Sequence, residues 1–110
     1  MIKDDKIFVA HILESIKLIE QYTKKVSWEK FEYAWPIIDA TIRRIIIIGE
    51  AANQISKEFR SKHKDVPWHY MVGMRNFLIH EYFDVDEKEV WHTVKKDLPG
   101  LKKKLKKLLE

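Results

Sequence analysis

Cysteine is absent from this 110-residue chain, which excludes disulfides and thiolate-bound metal. Three glycines and three prolines are all that punctuate it, and period-two alternation is wanting, so helical spacing is left as the organising pattern. No apolar run approaches the roughly 18 residues that a membrane helix needs. The opening MIKDDKIFVA carries acids and lacks the positive-then-apolar layout of a signal peptide. A cytoplasmic protein without membrane attachment is the expectation.

Strong charge of one sign is also missing from most of the chain. The formal net charge is +4, but residues 95–110 hold seven lysines against Asp97 and Glu110, a local balance of +5, so the first 94 residues sum to −1. The basicity is confined to one terminal segment, and pI alone therefore does not establish nucleic-acid binding. Apolar residues make up 45%, an ordinary share for a globular protein. The length suits one domain, and with no internal repeat or low-complexity linker, residues 1–110 are read as a single unit.

What is present is a series of helical stripes. Phe8, Ile12, Ser15, Ile19 and Tyr22 step by four and three, widened by Leu13 and Ile16. Asp4 and Asp5 stand near the start of this stripe and Lys24 and Lys25 at its end, as the helix dipole favours. Ser27 suits an N-cap, and Trp35-Pro36 marks a break. Ile38, Ile42, Ile45, Gly49, Ala52, Ile55 and Phe59 trace a second long stripe. Asp65 suits the cap of a helix from Trp68 to about Ile79, with Pro67 in its first turn. In DVDE (84–87), Asp84 and Glu87 have capping-box spacing. After DLPG, Leu98, Leu101, Leu105 and Leu108 share one face. The chain is expected to be all-α, an antiparallel bundle of about five helices.

The run RRIIIIGEAANQI bears on assembly. At about 100° per residue, Ile45 to Ile48 point in directions spread over roughly 300°. Either the helix is surrounded by its own chain, or one side packs in the protomer and the other in a homodimer, with Gly49, Ala51 and Ala52 admitting a second helix. Each large apolar side chain left exposed forfeits roughly 1.5–3 kcal/mol, which favours the homodimer.

RNFLIHEY (75–82) concentrates the polar chemistry. Asn76 and His80 are four apart and share a helix face, so the amide could fix the imidazole's tautomer. Arg75 lies about 100° from Asn76 and about 140° from His80, within reach of a long side chain. Two readings stand side by side. Arg and His near a helix C-terminus complement the dipole, and Tyr82 would then be a half-buried interface residue. Alternatively, an imidazole beside a guanidinium suits RNA cleavage. The imidazole serves as acid or base for the ribose 2′-hydroxyl and the leaving oxygen, while the cation stabilises charge growing on the phosphate. A twofold dimer would supply a second His80 and Arg75 to one cleft.

These residues resemble the Arg-x4-His-x-Tyr motif of HepT-like proteins, a branch of the HEPN superfamily. RRIIIIGEAANQIS (43–56), DVPWHYMVGMRN (65–76) and YFDVDEKEVWHTVKKDLPGLKKKL (82–105) are similar to that family in order and spacing. The resemblance implies an antiparallel helical bundle, usually a homodimer whose motif residues line a shared cleft. It implies a metal-independent endoribonuclease toxin that leaves a cyclic phosphate, with Arg75 and His80 catalytic and Asn76 the motif's polar follower. It further implies a small nucleotidyltransferase antitoxin, MntA-like, that adds AMP to Tyr82; a bulky anion there would block the cleft and repel RNA. The rival is a non-catalytic nucleotide-binding module that partners the same nucleotidyltransferase.

Other signals carry less. His11, His63, His69 and His92 form no His-Glu-x-x-His pattern, and no metal or cofactor is expected. IIIIGEAANQ lacks the Gly-Lys-Ser/Thr ending of a phosphate loop. The lysines of LKKKLKKLLE read first as a solvated helix face, then as contacts to an RNA backbone, and last as a membrane-surface patch. Trp28, Trp35, Trp68 and Trp91 are expected as core or interface anchors.

Overall fold

Helix α1 (Asp5–Thr23) starts where Asp4, in extended conformation, accepts a hydrogen bond from the Lys6 amide at 2.9 Å, satisfying one of the donors every helix start leaves open. The computed structural model describes residues 4–110; the first three residues of the opening that was read for a leader lie outside the described residues. The helix buries Val9, Ile12, Ser15, Ile16, Ile19 and Thr23, leaving Phe8 and Tyr22 half-buried at the stripe's edges. Past its end, Lys25 takes a positive φ of 63° to turn the chain.

Ser27 caps the short α2 (Trp28–Phe31) as expected, accepting from the Lys30 amide at 3.4 Å. Pro36 sits in the first turn of α3 (Trp35–Gln54), where its missing N–H costs no intrahelical bond. Buried Ile38, Thr41, Ile45 and Ile48 make α3 the centre of the bundle.

The second stripe was expected to run unbroken to Phe59, but α3 ends at Gln54 and a separate α4 (Lys57–Lys62) follows. The cause is Ser56. Its amide and hydroxyl donate to the two carboxylate oxygens of Asp5, each at 2.8 Å, and its hydroxyl oxygen accepts from the Phe59 amide at 3.1 Å. An extended Ser56 serves both partners at once, and a helical one could not. The contact also brings the start of α1 to the end of α3, fixing them as antiparallel.

Helix α5 (Trp68–His80) is not capped by Asp65. Pro67 occupies the cap position without a side-chain bond, and Asp65 is exposed. The entry is instead held by the buried Trp68, whose indole donates to the His63 carbonyl at 3.0 Å. The Trp68 ring meets Phe59 at 6.2 Å, so α5 begins beside α4 and runs back along α3.

A 3₁₀ turn (Tyr82–Asp84) leads to α6 (Glu87–His92). Its cap is Asp86, not Asp84: Asp86 accepts from the Lys88 amide at 2.8 Å, whereas the Asp84 amide donates to the Glu81 carbonyl inside the 3₁₀ turn. No break follows at DLPG. A π-helical segment (Thr93–Asp97) joins α6 to α7 (Leu98–Leu108) as one rod, with the Leu98 amide reaching back to the Thr93 carbonyl. The widened turn accommodates Pro99, which has no N–H and would crowd a carbonyl in a tight α-helical turn.

Leu98, Leu101 and Leu105 are buried and Leu108 half-buried, as their shared face implies. Lys102 pairs with Glu20 at 3.0 Å and pins α7 to the end of α1. Trp28, Phe31 and Trp91 cluster, with ring centroids 4.8–6.4 Å apart, and join α2 to α6. Trp35 lies outside the protomer's core and stands 52% exposed. Four rods and two short helices thus form an all-α antiparallel bundle, with no strand among the described residues. No described helix is long and apolar enough to cross a membrane.

Candidate active site on helix α5

Arg75 is seated by backbone geometry. A Cβ placed on Gly49 of α3 would lie 2.1 Å from the Arg75 Cβ and 2.7 Å from the Met71 carbonyl oxygen. Only glycine lets α5 approach this closely. The helix that the small residues were expected to admit is therefore α5 of the same chain. Of the isoleucine run, Ile45 and Ile48 are buried, while Ile46 and Ile47 are half-buried.

The guanidinium is fixed from two sides. Its Nε donates to Glu50 Oε1 at 2.9 Å, and its Nη1 donates to Asn76 Oδ1 at 2.7 Å. Three of its five N–H groups are left to meet a ligand. Asn76 thus orients Arg75 through its oxygen; the expected hold on the His80 imidazole is not what the side chain does.

His80 is the last residue of α5 and is exposed, and its imidazole takes no hydrogen bond among the described residues. Tyr82, two residues on in the 3₁₀ turn, is 63% exposed, and its ring stacks on Phe83 at 4.3 Å. Phe83 itself is 88% exposed. Arg75, Asn76 and Glu50 are joined by bonds. His80 and Tyr82 lie toward the end of the same helix, with no hydrogen bond to that trio among the described residues.

Glu50 is the member of this polar cluster that spacing did not reveal. Its only mark in the sequence is that it is a lone acid at the end of IIIIGE, 25 residues from the arginine it meets. A second polar pair was also missed. The Tyr70 hydroxyl donates to the Asp97 carboxylate of the π segment. Burial, followed by that carboxylate, pushes the Tyr70 pKa up to about 12. The pair edges a cavity of about 750 Å³ between α5 and α6, with Met74, Phe77, Leu78, Val85 and Val90 among its lining. No cluster of described residues has the makings of a metal site.

Comparison with known proteins bears directly on this arrangement. The family model described as "Ribonuclease HepT-like" matches residues 12–108. A protein of Methanocaldococcus jannaschii named "Gamma-glutamylcyclotransferase and putative RNase" is 48% identical over all 110 residues, which cover 50% of its own length. The chain thus spans half of that relative. "Probable ribonuclease HepT" of Thermococcus cleftensis is 42% identical over 108 residues, covering 98% of each chain. No solved structure matches. A match across nearly the whole sequence, spanning the helix that carries Arg75, Asn76 and His80, leads to one conclusion: this chain belongs to the HepT-like ribonuclease family.

Proposed function

We propose that the protein is an endoribonuclease in which Arg75 and His80 cleave RNA by attack of the ribose 2′-hydroxyl. The observation that carries this reading is the guanidinium of Arg75, held at two nitrogens and open at the rest, on the same helix as an exposed imidazole. The 2′-oxygen attacks phosphorus, the bond from phosphorus to the 5′-oxygen breaks, and a 2′,3′-cyclic phosphate and a 5′-hydroxyl result. A histidine takes the proton from the 2′-hydroxyl and a protonated histidine returns one to the leaving oxygen. Arg75 offers a fixed cation to the phosphate as its charge rises, so no metal enters the scheme.

Two protonation roles call for two imidazoles, which a homodimer supplies. Phe77 and Ile79 are each more than 40% exposed, and with Tyr82 and Phe83 they surround His80 with apolar surface. Covering them with the same face of a second copy would place both histidines at one cleft. A toxin role follows from uncontrolled RNA cleavage, with a nucleotidyltransferase antitoxin adding AMP to Tyr82. The exposure of that hydroxyl-bearing ring supports the access such a modification needs.

The test is cleavage of a mixed RNA pool, with chelator present, by wild type, Arg75→Ala and His80→Ala. Cutting by wild type and loss in both variants is the expected result. No cutting by any of the three would favour the non-catalytic nucleotide-binding module.

A further inference from the structure

Between α1 and α3, beside the active-site arginine, lies a groove of about 390 Å³ lined by Phe8, Glu14, Arg44, Ile47 and Glu50, among others. The volume falls in the range of small-ligand sites, roughly 300–1,000 Å³. Glu50 belongs to both places: one carboxylate oxygen holds the Arg75 guanidinium, and the same side chain lines the groove. A ligand seated here is therefore one side chain away from the phosphate site. The side chains of Glu14 and Arg44 make no hydrogen bond or ion pair among the described residues, so their capacity is unspent.

The lining decides what kind of group fits. Arg44 is matched in charge by Glu14, and Glu50 is already paired with Arg75, so the groove offers a phosphate no surplus of positive charge. A nucleobase is uncharged, flat and edged with donors and acceptors. Phe8, Ile47 and Ala51 offer apolar surface to its face. Glu14 can accept only from donors, and Arg44 can donate only to acceptors or stack its plane on the ring. We propose that this groove is a base-recognition subsite for an unpaired nucleotide next to the scissile phosphate, selecting bases that carry an exocyclic amino group. The proposal rests on the reading of the site as one that handles RNA.

Glu14 supplies the selection. Adenine and cytosine present an amino group to its carboxylate; uracil presents a carbonyl in the corresponding place, setting acceptor against acceptor. Arg44 contributes affinity for every base. Both side chains lie at the groove's surface, so their replacement should leave the core intact, with thermal melting of each variant as the check.

The experiment measures binding of fluorescein-labelled oligo-C and oligo-U to protein carrying His80→Ala, so that cleavage does not consume the probe. Oligo-C is expected to bind about tenfold tighter than oligo-U. Adding Glu14→Gln should bring the two within about twofold, and adding Arg44→Ala should weaken both by similar factors. Equal affinities without Glu14→Gln, preference that survives it, or no binding of either RNA would overturn the subsite. Cleavage by wild type in the RNA-pool assay together with any of these results leaves the ribonuclease standing without the subsite. Preference for oligo-C in a protein that cleaves nothing keeps the subsite and removes the ribonuclease.

Discussion

Arg75 and Glu50 form a 2.9 Å ion pair between α5 and α3, and the glycine preceding Glu50 is what allows the two helices to come close enough to make it. Both partners remain partly open to solvent, so the pair contributes little to stability, about 0.2–1 kcal/mol. On the proposed function, its value lies in aiming a cation. Glu50→Ala is expected to leave the melting temperature nearly unchanged and to lower kcat/KM on RNA by up to about 100-fold, the scale of a misplaced group. Glu50→Gln keeps an acceptor and should recover part of the loss. Equal damage to stability and activity would show that Glu50 serves packing instead.

Gly49→Ala tests the seat itself. The new methyl would overlap the Arg75 Cβ, a backbone-anchored atom that cannot swing aside. Forcing α5 away from α3 should cost about 1–3 kcal/mol, read as a lower midpoint in urea denaturation. Cleavage should fall further than the unfolded fraction explains, because α5 carries the arginine. Gly73→Ala is the control, since nothing lies within 4 Å of a Cβ there.

The Tyr70 hydroxyl gives a pH signature. Its pKa is raised from 10 to about 12, so between these values the folded state retains a proton that the unfolded chain releases. Stability from this group is fully present below pH 10 and is lost as pH rises toward 12. Tyr70→Phe should flatten that part of the stability curve, measured as the difference between the two proteins across the interval. Parallel curves would show that the hydroxyl is not shielded.

Tyr82→Phe separates regulation from catalysis. The ring and its stacking on Phe83 survive, so RNA cleavage should persist. The proposed acceptor oxygen for an adenylyl group is gone, so any silencing by a nucleotidyltransferase and ATP seen with wild type should be lost. Undiminished silencing of Tyr82→Phe would locate the modification elsewhere.

Features that one segment decides alone were legible in the sequence. The Ser27 cap, Pro36 at a helix start, the leucine face of α7 and the placement of Arg75, Asn76 and His80 on one helix all follow from local spacing. Choices made by a distant partner were not. Ser56 leaves the helix because Asp5, 51 residues away, takes its donors. Asn76 turns to Arg75 because Glu50 has already fixed the guanidinium's other edge. Asp84 and Asp86 both suit a cap, and the 3₁₀ turn that consumes the Asp84 amide settles the matter. Periodicity reports which face a residue occupies, and neighbours from elsewhere decide what it does there.

The π segment at Thr93–Asp97 has a consequence for how this chain can vary in length. Such a bulge stores one surplus residue while the helical stretches on either side keep their facing. Excising one residue there would leave Val90 and Leu101 pointing inward as before, at the expense of crowding around Pro99. The last rod of the bundle therefore holds a length tolerance that its uninterrupted neighbours do not share.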